Sequence, residues 1–184
     1  MYIVRHGETE LNVIKAFQGH TDSALTARGK RQARENANRL KSAGCQQIIS
    51  SDLPRAKHTA AIISEILNIP VQTDSNLREV WFGGWDGMAD ADIQQQFPDL
   101  WQQRIELKWQ FNGYDGESYE AAHERARTWL SENYAHNQLI VCHRTFGKIL
   151  RGAYAGLSPK GIMATDFLHA EIYRLNQNNV TQLA

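Results

Sequence analysis

Met1-Tyr2-Ile3-Val4-Arg5-His6-Gly7-Glu8-Thr9 opens the chain, and its reading decides the fold. The first four residues are apolar and predict a short buried strand. Polarity then changes at once to a cation, an imidazole, a glycine, an acid and a hydroxyl. A buried strand ending in Arg5-His6-Gly7 brings two potentially cationic groups to the carboxyl end of a sheet. That edge is where open α/β sheets bind ligands. Gly7 is expected to let the backbone come close to whatever sits there. The expectation is therefore a bound anion, a phosphate, attacked by His6. An ordinary strand end with solvated charges is the competing reading of these residues alone.

Composition narrows the setting. The 184 residues favour one domain, 1–184, with enough chain to bury a core. Lys plus Arg and Asp plus Glu are equal at 20 each, which argues against nucleic acid as a partner, so an anion site must be built locally. Cys45 and Cys142 make neither a disulfide framework nor a zinc pattern, and a reducing cytoplasm fits best. The first residues already read as fold rather than as a signal peptide. No apolar run is long enough to span a membrane.

Further along, Leu11–Asp22 reads as a loop in which Asn12, Gln18 and Gly19 can offer donors to an anion, or serve only as turn residues. Thr26–Gly44 reads as a helix capped by Thr26, with a basic, solvated face and Gly44 as its stop. Gln46–Ser50 is a second strand. A helix follows it, with Ser51 or Asp52 as cap and Pro54 in its first turn. This places Arg55 beside free backbone N–H groups at a strand's carboxyl end. Ile69–Gln72 is a third strand. Glu79 then falls in the loop Leu77-Arg78-Glu79-Val80-Trp81-Phe82-Gly83-Gly84-Trp85-Asp86-Gly87, whose aromatics want burial; a carboxylate there is costly unless protonated or paired, one route to a general acid.

Met88–Asn112 reads as two helices divided at Pro98, a candidate cap over the strand edge. Glu117–Asn133 is another helix. Gln138–Cys142 is a strand that ends in His143 as the first ends in His6, and Thr145 is expected to cap the helix after it. Ala170–Leu175 and Val180–Leu183 close the chain as a hairpin. His20, Asp22 and His58 show no spacing that suits a metal, and no metal or cofactor is expected.

Collected, these residues resemble the histidine phosphatase (phosphoglycerate mutase-like) superfamily. The matching segments are Arg5-His6-Gly7-Glu8-Thr9 with Asn12; Gln18-Gly19 and Leu25-Thr26-Ala27-Arg28-Gly29; Ser50-Ser51-Asp52-Leu53 with Arg55; Leu77-Arg78-Glu79; Gly116-Glu117-Ser118; and His143. They follow the family's order. The resemblance implies a three-layer α/β/α sandwich, with a mostly parallel central sheet and a small helical cap, residues 88–116, over its carboxyl edge.

It further implies that His6 becomes a phosphohistidine, that Arg5, Arg55 and His143 clamp the phosphoryl oxygens, and that Glu79 protonates the leaving oxygen. Neutral imidazole suits an anionic ester, guanidinium forks match phosphate, and no metal is then required. Where the family usually has glycine after the second histidine, this chain has Arg144. That side chain is expected to crowd the phosphate, add a cation or point outward. The length resembles the shorter phosphatase branch, which implies a phosphomonoesterase for a small phosphorylated substrate. Mutase-type transfer and a non-catalytic phospho-ligand sensor are the alternatives. Aromatics in the cap leave a homodimer open.

Overall fold

The expected N-terminal strand, β1 (Tyr2–Arg5), lies inside a six-stranded sheet. It pairs in parallel with β4 (Gln138–Cys142), and β4 pairs in parallel with β2 (Gln47–Ser51). Beyond β2 is the parallel edge strand β3 (Val71–Asp74). On the other side of β1 the antiparallel hairpin β5 (Ile172–Asn176) and β6 (Asn179–Gln182) completes the order β3-β2-β4-β1-β5-β6. The hairpin turns through Gln177 and Asn178, both at positive φ, as a two-residue turn that follows strand twist requires. These coordinates are a computed structural model that describes residues 1–183.

Strand periodicity sorts the core into two faces. Ile3, Ile140 and Ile49 share one register row and pack with α6 (Tyr119–Asn133) and α7 (Arg144–Tyr154) through Ala122, Trp129, Phe146 and Ile149. Val4, Leu139, Val141 and Ile48 face the other way. They pack with α2 (Ala27–Leu40) and α3 (Pro54–Leu67) through Ala37, Leu40, Ala56, Ala60 and Ile63. Helices therefore cover both faces, and the α/β/α sandwich with a mostly parallel sheet is the observed architecture.

Several local expectations are corrected. The stretch after Thr9 is not all loop: a one-turn helix, α1 (Glu10–Val13), forms because Thr9 and Asn12 make reciprocal capping bonds. Thr26 does cap α2, but that helix ends at Leu40, and Gly44 takes its positive φ in the following loop. Leu53, not Ser51 or Asp52, is the residue preceding α3; the Ser51 hydroxyl accepts from Leu53 N at 3.2 Å instead. Pro98 starts α5 (Pro98–Glu106) after α4 (Asp90–Gln96), as the dividing proline predicts, but α5 stops well short of Asn112. Trp85 is buried among Phe17, Phe97 and Phe111, whereas Trp81 is 44% exposed and stacks on His20. Asp90, Trp101, Arg104 and Ile105 from α4 and α5 line the same cleft as His6, so the two helices stand over the sheet's carboxyl edge.

Candidate active site

Parallel register brings the two strand-end histidines together. Arg5 lies opposite Cys142, so the next residues, His6 and His143, are neighbours with ring centres 5.1 Å apart. The His6 N–H continues the ladder to the Cys142 carbonyl at 2.9 Å. Its ring Nδ1 lies 2.7 Å from the Gly7 carbonyl oxygen. A carbonyl only accepts, so Nδ1 carries the proton and Nε2 holds the free lone pair. Burial, followed by Arg55, His143 and Arg5, holds the imidazole well below its ordinary value, so it stays neutral.

Arg5 and Arg55 approach from β1 and from the first turn of α3. Arg5 donates to the Phe167 carbonyl, and Arg55 donates to the carbonyls of Thr21 and Gly19 at 3.1 and 2.6 Å. Both are buried, and neither Nε has a partner within the protein. Both ring nitrogens of buried His143 are likewise unpartnered. Burial lowers Arg5 to about 10, still cationic at neutral pH, and lowers Arg55 too. Buried cations with spare donors are costly unless an anion meets them, and a phosphate is an anion that matches these forks.

Glu79 is buried in the same cleft. Its Oε1 accepts from Val80 N at 2.9 Å and Phe146 N at 2.8 Å; Oε2 accepts from Thr145 N at 3.0 Å. Thr145 N and Phe146 N are first-turn donors of α7, which no side chain of its own caps. His143 is the N-cap, and Thr145, expected there, is the second residue of the helix. Glu79 therefore closes the helix that follows His143, and the acid and the second histidine are set by one element.

The remaining expected residues divide. Asn12, Gln18 and Gly19 all line the cleft. Their polar groups also knit its wall: Thr9 Oγ1 and Asn12 Nδ2 donate to Gln18 Oε1, and the Gly19 carbonyl serves Arg55. Arg144 also lines the cleft, and rather than standing free toward it the guanidinium makes a bidentate pair with Asp166 (Nε–Oδ1 2.7 Å, NH2–Oδ2 2.6 Å). Gly7 makes room for protein, not ligand: a Cβ there would lie 2.3 Å from the Gly29 carbonyl oxygen, at the close approach of the loop to α2. Glu8 and Thr9 support the loop as expected, Glu8 by accepting from Thr26 Oγ1 at 2.9 Å.

Sequence reasoning missed His169. It lines the cleft, its Nδ1 donates to the His6 carbonyl at 2.8 Å, and its ring meets the His6 ring edge-on. No strand precedes it to mark it as His6 and His143 are marked.

The cleft has a volume of about 950 Å³. Seven Lys or Arg residues line it against three carboxylates, in a protein whose net charge is zero. Among the described residues no three His, Cys, Asp or Glu side chains are grouped as a metal ion would need, and no helix is long and apolar enough to cross a membrane.

Residues 1–182 match the family model of the histidine phosphatase superfamily, branch 1. The chain is 46% identical over 105 residues to "Probable phosphoglycerate mutase GpmB" of Proteus mirabilis, a match covering 57% of this chain and 48% of that one. It thus spans about half the length of that relative. It is 30% identical over 165 residues to "Adenosylcobalamin/alpha-ribazole phosphatase" of Escherichia coli, covering 85% of this chain and 79% of the other. Among solved structures, the alpha-ribazole phosphatase from Shigella flexneri superposes with a TM-score of 0.85 at 28% identity, covering 98% of this chain and 92% of that one. A mycobacterial glucosyl-3-phosphoglycerate phosphatase, solved with VO3, gives 0.81 at 27% identity, covering 94% and 88%. With this whole-chain match and its two histidines and two arginines gathered at the sheet edge, the chain belongs to the histidine phosphatase superfamily.

Proposed function

We propose that this chain is a metal-independent phosphomonoesterase that hydrolyses a small phosphorylated metabolite through a phosphohistidine on His6. The observation that carries this reading is the His6 Nδ1–H bond to the Gly7 carbonyl, which leaves Nε2 as a neutral nucleophile among unpartnered guanidinium and imidazole donors. His6 Nε2 attacks phosphorus as the ester P–O bond breaks. Glu79 gives a proton to the leaving oxygen. Water then attacks phosphorus, the P–N bond breaks with its electron pair returning to Nε2, and Glu79 recovers a proton from that water. Arg5, Arg55 and His143 hold the phosphoryl oxygens in line throughout. The cationic excess of the cleft supports an anionic substrate, and Trp101, Phe82 and Tyr119 offer its body an apolar wall.

Mutase-type transfer to a second hydroxyl is the alternative favoured by the 46% identical relative. A screen of phosphate esters, with and without a chelator, tests the proposal together with acid-labile, alkali-stable labelling of His6. Release of inorganic phosphate supports hydrolysis, and isomerised ester without phosphate release supports transfer. Turnover that persists in His6→Ala would end both readings.

A further inference from the structure

Four consecutive residues after α8 (Pro159–Met163), Asp166-Phe167-Leu168-His169, touch the phosphate-site machinery at three points. The Phe167 carbonyl accepts from Arg5. The His169 Nδ1–H donates to the His6 carbonyl. Asp166 binds Arg144, the neighbour of His143, through both carboxylate oxygens, and its backbone carbonyl accepts from Arg151. Phe167 is fully buried, seated against Gly147, where a Cβ would lie 2.3 Å from its ring, and under the Arg151 guanidinium. The segment is thus a strap anchored in the core.

We propose that His169 is a positioning residue for His6, and that the Arg144–Asp166 pair ties down the strap that presents it. The inference rests on His6 being the nucleophile. His6 is held by its N–H to Cys142 and by its ring to Gly7, and the His6–Gly7 peptide plane is pinned on its N–H side, where Gly7 N donates to Thr59 Oγ1 at 3.0 Å. The His169 bond pins the carbonyl side of the same plane, so the backbone that carries the His6 ring is fixed at both edges. An imidazole does this well only as a fixed tautomer. Burial and the nearby Arg5 hold His169 down to about 3, so across neutral pH it is uncharged with the proton on Nδ1. The substitution at Arg144 follows from the same device: its guanidinium serves the strap rather than the substrate.

The test compares His169→Phe and His169→Asn with the unaltered chain, each checked by thermal melting, with p-nitrophenyl phosphate as probe. Phenylalanine fills the ring's volume without a donor, whereas the asparagine amide nitrogen stands where Nδ1 stood. The expected result is a kcat lowered about 100-fold in His169→Phe with KM nearly unchanged, and recovery of most of that loss in His169→Asn. Equal kcat in the two variants, or a loss carried by KM, would overturn the inference. If His169→Phe does not fold, His169→Leu, which also lacks a donor, takes its place in the comparison with His169→Asn. If the unaltered chain neither turns over nor labels, the proposed function fails, and the positioning role is read from the His6 ring ¹⁵N resonances. A single Nδ1–H tautomer retained in His169→Asn and lost in His169→Phe supports it; the same tautomer in both overturns it.

Discussion

His6 and His143 stand 5.1 Å apart, ring centre to ring centre, because β1 and β4 run in parallel with Arg5 opposite Cys142. The two imidazoles have different surroundings. His6 donates from Nδ1 and keeps one free lone pair, whereas His143 has no partner at either nitrogen. Their replacements should therefore differ in kind. His6→Ala should abolish covalent labelling. His143→Ala should still label, with the rate of phosphoryl transfer lowered by about 100- to 1,000-fold, the range for loss of a transition-state donor. Single-turnover labelling with a radioactive phosphate ester separates the two.

Three imidazoles held below their ordinary value make stability depend on pH. Burial lowers His6, His143 and His169, in each case with help from nearby arginines. In the unfolded chain each titrates near 6.5 and takes up a proton that the folded state refuses. Stability is thus full above about pH 6.5 and falls as pH drops below it, by up to about 1.4 kcal/mol per pH unit for each imidazole. Urea unfolding midpoints at pH 7.5, 6.5 and 5.5 should be flat across the first interval and drop across the second. Replacing His169 by Asn should make that drop shallower.

Glu79→Gln should cost both fold and chemistry. The carboxylate accepts three backbone N–H groups, and an amide offers only one oxygen, so at least one buried donor would face an NH2 group. The expected loss of stability is about 1–3 kcal/mol. The catalytic loss should track the leaving group: large for alkyl phosphates, whose alkoxide needs a proton, and small for p-nitrophenyl phosphate. A uniform loss across both would remove Glu79 from the proton-transfer role.

Lys148 lines the cleft and is lowered to about 8, first by burial and then by neighbouring Lys108. It is cationic below that pH and neutral above it. KM for a dianionic ester should therefore rise as pH passes through about 8, with kcat less affected. Lys148→Met should have the raised KM at every pH and no inflection there. Steady-state kinetics from pH 7 to 9 checks this.

Gly7→Ala tests the close packing behind His6. The new methyl would meet the Gly29 backbone oxygen, which no side-chain rotation can relieve. A destabilisation of about 1–3 kcal/mol is expected, read as a lower urea midpoint. Because the Gly7 carbonyl also fixes the His6 tautomer, kcat should fall with it. An unchanged midpoint would show that the loop and α2 separate more easily than their contact implies.

Much of the site was readable because it obeys local rules. Strands that end abruptly in Arg5-His6 and in His143 place those groups at one edge whatever the rest of the chain does. Pro54 starts a helix and so places Arg55 in its first turn. Glu79 stood out as a carboxylate among apolar residues. The roles of Gly7, Arg144 and His169 were not readable in this way, because each depends on a partner far along the chain: Gly29 for the first, Asp166 for the second, the His6 carbonyl for the third.

Sequence alone thus determined which residues gather at one edge of the sheet, since strand ends, helix starts and a misplaced carboxylate are set by short-range chemistry. Only the tertiary structure decided how they are held. The tautomer of His6, the capping of α7 by Glu79 and the strap from Asp166 to His169 rest on hydrogen bonds, and all but the first join distant segments. Parallel pairing of β1 with β4 is what turns the first strand's Arg5-His6-Gly7 from an isolated charged end into one wall of a shared site.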